Sequence, residues 1–205
     1  CAIVEAVSRA VDVPVTCKMR LGVSKHAMNV VSLSQKLVDA GATALTIHGR
    51  SGEKKFGVPL DRDLIKKTVH TLSVPVIANG SIYNGVDAAQ MLQQTEAAAV
   101  MPGRGLLGNP WLIPEILNTL SKKRYSPPSC QQKKDVCLDH LHLLVDFYGE
   151  RRAVLKMRSI LPHYFSSCLF LKELKKDVQQ ITTSTNVPIL LERISAHEMN
   201  NRYQR

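Results

Sequence analysis

Residues 73–93 read SVPVIANGSIYNGVDAAQMLQ, and this stretch decides the fold. The short apolar run after Pro75 ends at Asn79, Asn79-Gly80-Ser81 is a turn sequence, and residues 85–93 carry apolar side chains at helical spacing. A brief strand passing through a polar turn into an amphipathic helix is one β/α unit of a parallel sheet. The same pattern recurs on both sides. Strands are predicted over residues 15–19 after Pro14, 44–48 after Asp39-Ala40-Gly41 and 98–102 after Thr95-Glu96, with helices over 30–38 and 62–72. Asp12-Val13-Pro14-Val15 and Ser73-Val74-Pro75-Val76 introduce their strands alike, a weak internal repeat.

A closed (β/α)8 barrel needs about 250 residues, so four units within 120 residues amount to half of one. The expected fold class is therefore α/β, a partial TIM (β/α)8 barrel comprising the last four β/α units, with the missing half upstream. An open doubly wound sheet is the structural alternative. Residues 121–134 hold Lys122-Lys123-Arg124, Pro127-Pro128 and Gln131-Gln132 and read as a polar connection. Beyond it, Leu138, Leu141, Leu144, Val145 and Tyr148 recur at helical spacing and Gly149 permits a stop or bend. Val154, Met157 and Leu161 continue the stripe before Pro162, and further helical pattern covers residues 168–181. The expected organisation is a half-barrel over 1–120, a linker over 121–136 and an α-helical bundle over 137–205.

The 205 residues are 44% hydrophobic, enough for a real core, and carry a formal charge of +10. Residues 121–205 hold 15 basic and 8 acidic side chains, against 12 and 9 in residues 1–120, so the tail is the part suited to a polyanion. Cys1, Cys17, Cys130, Cys137 and Cys168 are odd in number and form no C-x-x-C pair, so they read as reduced thiols, with no metal site expected. No apolar run reaches membrane-spanning length and no leader precedes the first helix, so a cytoplasmic protein without membrane attachment is expected. The chain opens on Cys1 rather than Met, which predicts a fragment.

In a parallel barrel the chemistry sits where strands end. The first strand closes with Lys18-Met19-Arg20, alternate cations on one face, and a lysine there calls for an anion or a cofactor. His48-Gly49-Arg50 closes the second; a lone histidine is more often a satisfied core residue, and the rim shared with Lys18 brings a functional reading level with that one. Asn79-Gly80-Ser81 and Gly103-Arg104-Gly105 end the third and fourth, and loops there hold phosphate on backbone amides, with Arg104 adding a bidentate cation. The competing reading is two ordinary glycine turns. Residues 103–108 also match G-x-G-x-x-G, but no acidic residue ends a following strand, so the dinucleotide fingerprint fails while the phosphate-cradling physics survives.

Taken in order, Cys17-Lys18-Met19-Arg20, His48-Gly49-Arg50, Ala78-Asn79-Gly80-Ser81 and Gly103-Arg104-Gly105 with Leu107-Gly108-Asn109-Pro110-Trp111 resemble the tRNA dihydrouridine synthase family. The looser tail segments Phe147-Tyr148-Gly149-Glu150 and Met157-Arg158 resemble that family's helical RNA-binding domain. The resemblance implies an FMN enzyme in which NADPH reduces the flavin and hydride passes to the C5–C6 double bond of a tRNA uridine. It implies Lys18 near the flavin ring, His48 on the cofactor, and Asn79, Gly80, Ser81, Gly103 and Arg104 about its phosphate, with Arg20 and Arg50 as contacts for cofactor or tRNA. The family's catalytic cysteine lies upstream of the first strand. Cys1 sits in a helical pattern and reads as structural, so no catalytic acid is assigned and the chain alone is expected to be inactive. The family often has an acidic residue at the place of Ser81 and an aliphatic one at that of Pro102.

In the tail, Arg151, Arg152, Lys156 and Arg158, then Lys172, Lys175 and Lys176, are candidates to follow an RNA backbone, singly more often a solvated face, together a match to tRNA. A monomer is expected. The competing functions are a small-molecule FMN barrel oxidoreductase related to dihydroorotate dehydrogenase, whose tail would be an oligomer interface, and a noncatalytic RNA-binding remnant.

Overall fold

The computed structural model describes residues 1–53, 59–166 and 171–202. They form two compact units, Cys1–Gly105 with Leu112–Tyr125, and Leu106–Trp111 with Ser126–Arg205. In the first, helix α1 (Ala2–Ala10) precedes β1 (Thr16–Arg20), a hairpin of β2 (Gly22–Ser24) and β3 (Ala27–Met28), and helix α2 (Val30–Asp39). Then come β4 (Ala44–His48), α3 (Arg62–Thr71), β5 (Val76–Asn79), α4 (Gly85–Thr95), β6 (Ala99–Met101) and α5 (Leu112–Leu120). The class is α/β.

Four strands make one parallel sheet in the order β1-β4-β5-β6, each within a residue of its expected bounds. β4 lies inside it and buries Leu45 and Ile47 completely, as a strand covered on both faces must, whereas β1 alternates between exposed and half-buried positions. The register sets Arg20 opposite His48, His48 opposite Asn79 and Asn79 opposite Met101, so the carboxyl ends come level along one edge of the sheet. The helices start on side-chain caps that satisfy amides with no partner inside the helix: Asp61 accepts from Leu64 N at 2.8 Å and Asn84 from Asp87 N at 2.8 Å. Asp87 in turn accepts from Tyr83 N at 2.9 Å, which fixes the turn between β5 and α4.

The second unit contains α6 (Cys130–Tyr148), α7 (Glu150–Tyr164), α8 (Leu171–Gln179) and α9 (Asn186–Arg202). They share an apolar core that includes Leu141, Met157, Leu161, Phe165, Leu174 and Leu191, all at most 1% exposed. α6 begins inside the stretch read as polar, because Ser129 and Gln132 form a reciprocal capping box; Lys134 is buried there, its ammonium 2.9 Å from Glu192. Gly149, at φ +75°, separates α6 from α7, and α7 runs two residues past Pro162, held by the burial of Leu161, Tyr164 and Phe165. The segment Leu106–Trp111, read from sequence as part of the first domain, packs with these helices. Gly108 stands at φ +59°, where an added Cβ would come 2.4 Å from Tyr164 N, and Trp111 meets the Tyr164 ring edge-on at 6.3 Å. Residues 168–170, part of a predicted helix, lie outside the described residues.

Candidate functional site

The register does the first work of assembly, since side chains that end neighbouring parallel strands must stand side by side. His48, Arg50, residues 79–83 and Gly103-Arg104-Gly105 line one recess at this edge, about 450 Å³ of open space. Of the expected site residues, His48, Arg50, Asn79, Gly80, Ser81, Gly103 and Arg104 meet there. Lys18 joins through its ammonium, 2.9 Å from the Asn79 Oδ1, and the other end of that amide donates to Met101 O at 2.6 Å. Arg50 donates to the Ser81 hydroxyl at 2.8 Å; Arg20 turns to Ser51 O at 2.9 Å. Sequence reasoning did not place Ile82 and Tyr83 on the recess. Their signal was only that the chain must run on around it after Asn79-Gly80-Ser81.

Local backbone explains the recess. Gly80 has φ +129° and Ser81 φ +50°, two successive residues in conformations that turn the chain sharply at the end of β5. At Gly80 a Cβ would meet Leu60 Cδ1 at 2.6 Å and crowd the His48 ring, and with φ at +129° the backbone itself already demands the glycine. Gly103 differs: a Cβ there meets nothing nearer than Asn79 Nδ2, at 4.0 Å. The space beside it is therefore left open to a ligand.

The charges are of one sign. Burial above all, then Arg20, Lys18, Arg50 and Arg104, pushes His48 down to about 4, so its imidazole is neutral at pH 7. Burial and then Arg20 also hold Lys18 below the ordinary lysine value. Such a site receives an anion without adding one of its own. The titration has a consequence for stability. Between pH 6.5 and about 4 the unfolded chain protonates His48 while the folded chain does not, so stability is full above this window, declines as pH falls through it, and levels off below. With allowance for solvent screening of a half-buried group, the loss is about 1–2 kcal/mol. Urea unfolding at several pH values checks this: His48→Asn should flatten that part of the profile, and an unaltered slope would contradict the neutral imidazole.

In the helical unit Arg151, Arg152, Lys156 and Lys175 are exposed, and Lys156 lies 4.5 Å over the Tyr148 ring. Arg158 is placed otherwise: its guanidinium donates twice to Ile181 O, closing the end of α8, so it joins these helices instead of joining the exposed cations. The side chains of Cys168 and Lys172 lie outside the described residues. Cys137 is buried and its thiol is pushed up to about 12, an unreactive core group. Among the described residues no three His, Cys, Asp or Glu groups come together to hold a metal ion, and no helix is long and apolar enough to cross a membrane.

A family model described as dihydrouridine synthase (Dus) matches residues 1–200. A probable tRNA-dihydrouridine synthase of Rickettsia bellii is 37% identical over 153 residues, 74% of this chain and 47% of that protein. A probable tRNA-dihydrouridine synthase 1 of Synechocystis sp. is 39% identical over 151 residues, 73% of this chain and 42% of that protein. The tRNA-dihydrouridine synthase B of Shewanella oneidensis is 33% identical over 191 residues, 93% of this chain and 59% of that protein. The chain thus spans about half the length of the curated relatives it matches.

Proposed function

The chain belongs to the dihydrouridine synthase family, and we propose that it supplies the mononucleotide-holding half of a flavin-dependent enzyme that reduces a uridine in tRNA. The observation that carries this reading is the convergence of His48, Arg50, Ser81, Gly103 and Arg104 on one cationic recess with an open floor at Gly103. A phosphate monoester suits it, because Arg104 and the backbone amides of the two glycine turns offer charge-assisted donors to a dianion. With FMN bound, the chemistry supplied is hydride delivery to the uridine C5–C6 bond, NADPH being the electron source. The four β/α units would be the last four of a (β/α)8 barrel, and the catalytic cysteine would come from the preceding half. Lys18, in the middle of β1 with its ammonium reaching Asn79 at the end of β5, would then be the cation beside the ring, where it would stabilise negative charge on the reduced isoalloxazine. The neutral His48 offers a hydrogen bond without a charge.

The helical unit would be the tRNA-binding domain, with Arg151 and Arg152 among the residues that follow the backbone. Arg20 is committed to a carbonyl of its own chain and Arg158 to Ile181, so both are secondary candidates. Titration of the chain with FMN and with riboflavin tests the reading. FMN should bind at least about tenfold more tightly, and Arg104→Ala should cost FMN a further factor of roughly ten while leaving riboflavin unchanged. The logarithm of tRNA affinity should fall linearly with that of salt, less steeply once Arg151 and Arg152 are both alanine. Equal binding of the two flavins would count against the phosphate site, and salt-insensitive tRNA binding against the helical domain's role.

A further inference from the structure

We propose that the Asn79 side chain is a positioning residue that fixes the Lys18 ammonium at the rim of the recess, and that it is not a ligand of the bound phosphate; the cofactor part of this claim rests on the flavin reading above. The amide is only 9% exposed and both of its ends are engaged. Oδ1 accepts from Lys18 Nζ at 2.9 Å and Nδ2 donates to Met101 O at 2.6 Å, so one side chain ties β1, β5 and β6 together. Its orientation is dictated by chemistry. An ammonium has only hydrogens to give and a carbonyl has only lone pairs, so turning the amide over would set NH2 against NH3+ and oxygen against oxygen. The end that faces Lys18 is therefore an acceptor, useless to a phosphate oxygen. Of the two hydrogens at the other end one is already given to Met101 O, which leaves the second as the hydrogen whose use the comparison of the two flavins decides.

Lys18 needs such a partner. Its side chain is long, largely exposed and flexible, and Arg20 repels its charge. Left alone it would swing away from the recess. The Asn79 carbonyl is the one neutral acceptor bonded to it among the described hydrogen bonds, and the Met101 link holds that carbonyl still. Because the acceptor is a neutral amide, the site gains an oriented cation without a carboxylate that would cancel its field.

The test uses the full chain without any ligand first. Lys18 is titrated by NMR on 13C-methylated lysines, its signal assigned with Lys18→Arg, in the unaltered chain, Asn79→Leu and Asn79→Asp. Loss of the acceptor should lower the Lys18 pKa and a carboxylate should raise it. If Asn79→Leu does not fold, Asn79→Asp, which keeps the shape, decides alone. FMN and riboflavin are then titrated into each folded variant. A positioning role weakens both flavins by the same factor in Asn79→Leu, about five- to tenfold, because the disturbed group faces the ring. An unmoved Lys18 titration overturns the proposal, and so does a loss confined to FMN, which would make Asn79 a phosphate ligand. If the unaltered chain binds neither flavin while the titrations move as expected, the flavin reading fails and the pairing of Asn79 with Lys18 stands.

Discussion

Gly103→Val is expected to lower FMN affinity by about 100-fold or more, some 2.7 kcal/mol, while leaving the thermal unfolding midpoint of the chain unchanged. The two halves of this result come from one observation. A Cβ at Gly103 would have no protein atom closer than 4.0 Å, so an added side chain enters open space at this exposed position. Its added atoms instead take up the space between the Arg104 turn and the turn at Gly80 and Ser81, where a phosphate must approach backbone amides closely. Flavin fluorescence quenching gives the affinity, and a melt followed by circular dichroism gives the stability. Retained binding would show that the phosphate lies elsewhere, and a lowered melting point would show that Gly103 is required by folding.

Gly108→Val should do the opposite. This glycine sits at φ +59°, which β-branched residues resist strongly, and its Cβ would lie 2.4 Å from Tyr164 N and 2.8 Å from the His163 Cβ. The backbone of α7 cannot yield without disturbing Tyr164, which is 5% exposed, packs its ring against Trp111 and bonds His140 at 3.1 Å. A loss of roughly 3 kcal/mol or more from the helical unit is expected, combining conformational strain with overpacking. Hydrogen exchange at the α7 amides is the direct measure, since it reports that helix separately. Gly108→Asn separates the two causes, because asparagine tolerates the left-handed conformation but still carries the clashing Cβ. Unchanged protection in both variants would mean that the segment around Gly108 packs differently in solution.

Much of the sheet was legible because its signals are local. A proline or a glycine turn before an apolar run, a run of four or five residues and a glycine turn after it fix a strand with little help from elsewhere, and β4, after Gly41, and β5, after Pro75, have the bounds so expected. The rim residues followed, since parallel strands must end together. What the sequence hid depends on distant partners. The β2–β3 hairpin is too short for any alternation to show. The start of α6 is concealed by a polar run whose Lys134 becomes buried only through Glu192, 58 residues on. α9 begins with a stripe at helical spacing, Val187, Leu190, Leu191 and Ile194, all buried in the core, but Pro188 beside its start and the exposed Ile189 between them broke up that pattern to the eye. Arg158 read as one more cation in a basic tail, and only the carbonyl of Ile181 reveals its actual use. Asn79 shows the same limit at the site: its place was readable, while its two partners on other strands were not.

The pairing of β1, β4 and β5 residue for residue makes the rim intolerant of a particular kind of genetic change. Successive side chains of a strand point to opposite faces, so deleting one codon between Val76 and Asn79 would rotate the asparagine to the helix side and strand Lys18 without its acceptor. A deletion of the same size in a surface turn outside these strands would leave every rim group in place. Length variation among descendants of this chain should therefore gather between elements and be absent within these short strands.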